Sequence, residues 1–227
     1  MHQLVVERWS RGSSPLHSRD ARAKLLALIA FLIAVSTTTS QKAFGAYAGL
    51  LVIAIAAARL PVFAVLRRAV LVLPFSATFA LITWLAGEPL RALALAEKSF
   101  LSGVAALLLI ATTPMTELMP ALERLGVPRP LVLVVQFLYR YLFVLSGQAH
   151  RMRLAARARG SRFRSSAGAL AVLFARSSER ADGVYRAMLA RGFSGRFLPL
   201  VSRRFGAADA AFVFAAIAVS LAIRLAI

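Results

Sequence analysis

Ala158-Arg159-Gly160 and Ala190-Arg191-Gly192 stand thirty-two residues apart in a basic block, residues 148–206, that holds thirteen arginines and two acids. An arginine held in place offers recognition chemistry, because its planar guanidinium fork can bind a carboxylate or a phosphate through two parallel hydrogen bonds. Each triplet also has a plain structural reading. A glycine just past a helix end adopts the left-handed conformation that closes it, and arginine in the last turn favours the helix dipole by about 0.3–1 kcal/mol. Capping accounts for either copy alone but not for two consecutive helices ending on the same triplet. A basic block can also attract anionic lipid heads, at about 1 kcal/mol per residue, but that needs charge and no repeated triplet.

Other chemistry has little to stand on. The chain has no cysteine, nine acidic residues and three histidines, His2, His17 and His150, which lie far apart. No clustered set suggests a metal site or an acid–base pair, and no Gly-rich phosphate loop occurs. No catalytic residue, metal ligand or bound cofactor is therefore expected in this chain. His2 next to the terminal amine is read as part of a solvated arm.

The elements that must position the triplets follow from composition. Hydrophobic residues make up 59% of the chain, mean hydropathy is +0.73, and the formal net charge is +19. A nucleic-acid binder of such charge would be polar, whereas this chain contains long uncharged apolar runs, which is the signature of an integral membrane protein. The runs are Leu25 to Ser40, Ala43 to Ala58, Ala69 to Gly87, Ser99 to Met115 and Ala210 to Ile223. Each is expected to span. Five basic residues lie in the first twenty-four, three between Arg59 and Arg68, one at Lys42 and two between Glu88 and Lys98. The positive-inside rule then puts the N-terminus in the cytoplasm and the C-terminus outside.

Leu131 to Gly147 breaks this parity, since basic cytoplasmic-type segments flank it on both sides. Arg140 at its centre would cost about 2.5–3.5 kcal/mol if exposed to lipid, and Phe137, Tyr139, Tyr141 and Phe143 are aromatics suited to an interface. This run is expected to lie at the cytoplasmic interface or under other protein. One long helix is predicted over 130–159, oily first and basic last, and closed by Gly160. A second is predicted over 167–191, with Leu170, Leu173, Phe174, Ala181, Val184, Tyr185 and Met188 on one stripe. Pro74 is read as a kink and Trp84 as an interface anchor.

Two such signatures on cytoplasmic helices resemble the T component of energy-coupling-factor transporters, importers of vitamins and transition metals. Ser14-Pro15-Leu16-His17-Ser18-Arg19-Asp20-Ala21-Arg22-Ala23-Lys24-Leu25 resembles that family's lead into its first span. Thr112-Thr113-Pro114 through Leu118 and Ala121-Leu122-Glu123-Arg124-Leu125-Gly126-Val127-Pro128 resemble its short coupling helix. Tyr139-Arg140-Tyr141-Leu142-Phe143 and Arg191-Gly192-Phe193-Ser194-Gly195-Arg196-Phe197 are similar to stretches of the cobalt and nickel branch. At Gln148 the sequence departs from the acidic residue of many members, so no ion pair is implied there.

The resemblance implies an all-α integral membrane protein with five transmembrane helices plus one short and two long cytoplasmic coupling helices. It implies an N-terminal arm over 1–24, a membrane domain over 25–115, a coupling domain over 116–206 with helices near 116–125, 130–159 and 167–191, and a last span over 207–227. It further implies a scaffold of the bacterial inner membrane without catalysis of its own, joined to two cassette ATPase subunits, a substrate-binding membrane subunit and an optional small accessory membrane subunit. ATP and Mg would sit on the ATPases, and Co or Ni on the substrate-binding subunit. Arg159 and Arg191, supported by Ala158, Gly160, Ala190 and Gly192, would each dock one ATPase, while Leu131, Val135, Leu138 and Leu142 would face the substrate-binding subunit. Membrane lipids, and no nucleic acid, complete the expected partners. A biotin or other vitamin importer, a stand-alone protein whose basic block binds anionic lipid, and a channel acting alone are the competing readings.

Overall fold

A computed structural model describes residues 9, 10, 12, 14–160, 166–195 and 205–226, apart from the side chains of Val72, Ser166, Ala167 and Ala226. It contains helices and no strand among the described residues. Two compact units divide the chain: residues 1–125 with 201–227, and residues 126–200.

In the first unit α1 (Ala21–Thr37) starts at Asp20, whose carboxylate accepts from the Arg22 N–H at 2.8 Å and so satisfies one of the amides that a helix start leaves open. Helix α2 (Gln41–Ala57) buries Ala43, Phe44, Tyr47, Leu51 and Ile55, a spacing of three and four residues that defines one face. Tyr47 is fully buried, meets the Phe31 ring edge-on at 5.6 Å, and donates its hydroxyl to the Ser220 carbonyl at 3.0 Å. That bond gives the phenol a partner in an apolar core. After Ala57 and the cap residue Ala58, Arg59 takes a left-handed φ of 55° that closes α2, with Arg59 N–H bonded to Ala56 O and Leu60 N–H to Ile55 O. Glycine is the usual residue there, and an L-residue costs about 1–2 kcal/mol.

Helix α3 (Val62–Ala69) is followed by one turn of 3₁₀ helix (Val70–Val72) and α4 (Leu73–Leu85), with a 53° bend between α3 and α4. Pro74 has no N–H to offer the Val70 carbonyl, which loosens the helix at that turn. The apolar run from Ala69 to Gly87 was expected as one span; it instead straddles this bend, and the pair of helices Val62–Leu85 is what reaches crossing length. Trp84 is exposed near the end of α4.

Helix α5 (Pro89–Thr112) starts ten residues before the expected run, so the stretch from Glu88 to Lys98 is helix and not loop. Proline at its first position explains the early start, because the missing N–H costs nothing there. Inside it Glu97 accepts from Gln41 Nε2 at 2.6 Å, and Lys98 donates to the Ser36 carbonyl at 2.8 Å. The short α6 (Met115–Arg124) packs Ala121 against Ala21 and Leu25 of α1. Helix α9 (Ala207–Ala226) opens on Asp209, which accepts from the N–H groups of Gly206 and Asp20, each at 3.1 Å. Phe31, Val35, Phe44, Tyr47, Ile55, Val65, Val104 and Leu108 form the centre of this unit.

Large apolar side chains also cover its outside. Ile33, Ile53, Phe75, Leu81, Leu85 and Phe214 are exposed, an apolar surface that water would not tolerate and a bilayer would. Helices α5 and α9, together with α7 (Arg129–Ala158) of the second unit, are long and apolar enough to cross a membrane, and the bent α3–α4 pair makes a fourth candidate. Helices α1 and α2 are seventeen residues each, about 25 Å at the standard rise. Helix α7 is thus long and apolar enough to cross, with Arg140 exposed near its middle.

Candidate docking sites at two helix ends

The second unit is built from α7 and α8 (Ser166–Ala190), which contact each other. Both form where the spacing predicts them. Helix α7 runs thirty residues without internal proline past its first turn, then stops at Arg159, with the Arg159 N–H shared between Ala155 O and Ala156 O and the Gly160 N–H on Arg157 O at 3.0 Å. Gly160 has φ 71°. Helix α8 repeats this with one further bond: Arg191 N–H on Ala187 O and Met188 O, Gly192 N–H on Leu189 O at 2.9 Å, and Phe193 N–H on Met188 O at 3.0 Å, with Gly192 at φ 73°. The last pair of bonds is the Schellman closure.

The capping role of both glycines is therefore real, and it fixes where each arginine stands. In each copy the arginine is the last residue before the left-handed turn, so its backbone is locked from both sides while its side chain stays exposed. Neither Arg159 nor Arg191 has a carboxylate partner among the described residues. Ala158 and Ala190 are also exposed. Two exposed, unneutralised and rigidly based guanidinium groups are suited to enter an acidic groove on another protein.

A β-carbon at Gly160 or Gly192 would meet no heavy atom within 4 Å, so room is not what demands glycine. The backbone angle is. Gly192→Ala should lower thermal stability by about 1 kcal/mol while Gly192→Asn costs less, because asparagine tolerates the left-handed region. Equal melting temperatures for the alanine variant and the parent would remove this account of the cap.

Leu131, Val135, Leu138 and Leu142 are all exposed on α7, and of that helix Val132 alone is buried. Leu131, Leu138 and Leu142 are spaced by seven and four residues, so with Val135 they form one apolar stripe. On α8 the predicted stripe is only partly covered: Leu173, Val184 and Met188 are half-buried, whereas Leu170, Phe174, Ala181 and Tyr185 are exposed. Arg162 and Arg164 lie outside the described residues, as do Arg196, Arg203 and Arg204. Among the described residues no three His, Asp or Glu side chains come together as a metal cluster.

Sequence reasoning missed one polar constellation, at the start of α1. His17 binds Ser14 Oγ through Nδ1 at 2.7 Å and the Trp9 carbonyl through Nε2 at 2.9 Å, while the buried Lys24 donates to Thr112 O at 2.8 Å and reaches His17 O at 3.5 Å. The only signal in the sequence was the resemblance of residues 14–25 to a family's lead-in segment.

Among the described residues, an all-α fold with several apolar helices of crossing length defines a multi-pass membrane protein. Within that class the chain belongs to the CbiQ cobalt transport protein family, whose model matches residues 12–200 of its 227. That is the cobalt-type T component of the energy-coupling-factor transporters which the doubled signature resembles. It is 31% identical over 121 residues to the cobalt transport protein CbiQ of Rhodobacter capsulatus, covering 51% of this chain and 50% of that one. It is 37% identical over 103 residues to an uncharacterized protein of Methanocaldococcus jannaschii, covering 42% and 38%. The matched segments thus span half or less of the length of these relatives.

Proposed function

We propose that this chain is the non-catalytic scaffold of an ATP-driven cobalt importer of the inner membrane, transmitting the motion of two cassette ATPases to a substrate-binding membrane subunit. The observation that carries this reading is the matched pair of helix ends, each presenting an exposed arginine on a locked cap. Arg159 docks one ATPase and Arg191 the other; ATP and Mg stay on those subunits, and the metal stays on the substrate-binding subunit, which packs on Leu131, Val135, Leu138 and Leu142. Cobalt as cargo is supported by the family, with nickel and a vitamin such as biotin as the competitors. The N-terminus is cytoplasmic and the C-terminus outside.

Affinity purification of the tagged full chain from its native membrane tests the proposal. Two cassette ATPase chains and a smaller membrane subunit that retains radioactive cobalt are the expected result. An eluate without any ATPase overturns the scaffold reading, and retained nickel or biotin in place of cobalt overturns the cargo.

A further inference from the structure

We infer that Arg22 and Asp209 are positioning residues for the transport proposed above. They latch the attachments of the second unit to the first turn of α1, so that motion of that unit reaches the membrane helices; the inference rests on the scaffold reading. The second unit, residues 126–200, joins the first at two places in the chain, after α6 and before α9. One turn holds both. On the outgoing side α6 packs Ala121 against Ala21 and Leu25 of α1, with Leu118 and Leu122 beside them. On the returning side the buried Asp209 lies in the first turn of α9, and its carboxylate reaches back to the Gly206 N–H at 3.1 Å. Its other oxygen takes the N–H of Asp20, the residue that caps α1, also at 3.1 Å. A single carboxylate thus serves the leading amides of two helices, at the positive end of each dipole.

Arg22 completes the arrangement. Its guanidinium pairs with the Asp20 carboxylate at 3.2 and 3.3 Å and lies 5.5 Å from the centroid of the Phe205 ring, next to Gly206. Capping alone would need Asp209 only for Gly206 and Asp20 only for the Arg22 amide. The cross-links from Asp209 to the Asp20 amide and from Arg22 to Phe205 add nothing to either helix by itself. They tie together segments far apart in the chain, the first across 189 residues. A segment that moves a membrane bundle acts through its attachments, and an attachment that yields takes up the displacement.

The complex copurified through the tagged full chain and reconstituted in proteoliposomes gives cobalt taken up per ATP hydrolysed, and hydrogen exchange of the chain in detergent reads the latch itself. Asp209→Asn keeps the size and removes the charge. It should speed exchange of the Asp20 and Gly206 amides by about tenfold, the scale of a lost bond to a charged group. Asp209→Asn and Arg22→Ala should copurify the ATPases and hydrolyse ATP at the parent's rate, yet take up at least about fivefold less cobalt per ATP. Arg22→Lys keeps the charge and should recover part of the loss. Tyr47→Phe removes the bond from the Tyr47 hydroxyl to the Ser220 carbonyl, a contact of α9 remote from the attachments. It should lower the melting temperature and leave uptake per ATP unchanged, which separates a loosened latch from a less stable bundle. Unchanged uptake per ATP in both latch variants, an equal loss in Tyr47→Phe, or a parallel fall of hydrolysis and uptake overturns the inference. A parent eluate without any ATPase overturns the scaffold reading on which it rests.

Discussion

Arg159→Glu and Arg191→Glu should each weaken ATPase docking by more than about 100-fold while lowering the melting temperature of the isolated chain only slightly. The size follows from the chemistry of a buried ion pair. Once an arginine enters an acidic groove, reversing its charge strands the carboxylates without water or a partner, and removing one member of such a pair costs about 3–5 kcal/mol. The small size of that change follows from the described structure: both side chains are exposed, neither pairs with a carboxylate there, and the cap bonds use only backbone atoms, so only the interaction with the helix dipole, about 0.3–1 kcal/mol, is lost and reversed. Each single variant should therefore still copurify one ATPase, and the double variant none. Cobalt uptake should fail in all three. Arg159→Lys should be intermediate, because the ammonium keeps the charge and loses the fork. If both glutamate variants copurify the ATPases and transport as the parent does, the docking role is wrong, and the repeated triplet is a cap and nothing more.

What could be read in advance, and what could not, divides along physical lines. The long helices of the second unit were legible because nothing interrupts their periodicity and glycines end both; the structure places them at Arg129–Ala158 and Ser166–Ala190. The membrane segments were legible as apolar runs but not in their limits. Hydropathy sees where charge stops, whereas a helix stops where its backbone runs out of partners. So α5 carries Arg91, Glu97 and Lys98 in its first half: Arg91 pairs with Glu88, Glu97 accepts from Gln41, and Lys98 donates to the Ser36 carbonyl. The bend before α4 could be suspected from Pro74 but not the turn of 3₁₀ helix at 70–72. The two arginine–glycine ends were legible from repetition alone. The polar cluster around His17 and Lys24 was not, because its partners are backbone carbonyls eighty-eight residues apart in the case of Thr112, and a carbonyl leaves no mark in a sequence.

That cluster carries the second large effect. Lys24 is buried, and its Nζ is 2.8 Å from the carbonyl of Thr112, the last residue of α5. A helix leaves its last carbonyls without intrahelical donors, and here Thr112 is itself buried, so water cannot take the place of the lysine. Lys24→Met keeps most of the stem volume and deletes the donor, and should destabilise the first unit by about 2 kcal/mol; Lys24→Ala should cost more, because a cavity is added to the lost hydrogen bonds. Thr112 also stands two residues before Pro114, where the chain turns into α6, so the lysine fixes the point at which that short helix leaves the membrane unit. The measurement is thermal melting in detergent beside ATPase copurification in the cold. Lys24→Met should lower the first and spare the second, the reverse of Arg159→Glu, since the helix ends of the second unit are untouched. An unchanged melting temperature in Lys24→Met would mean that the Thr112 carbonyl finds another donor and that the lysine is not what holds this junction.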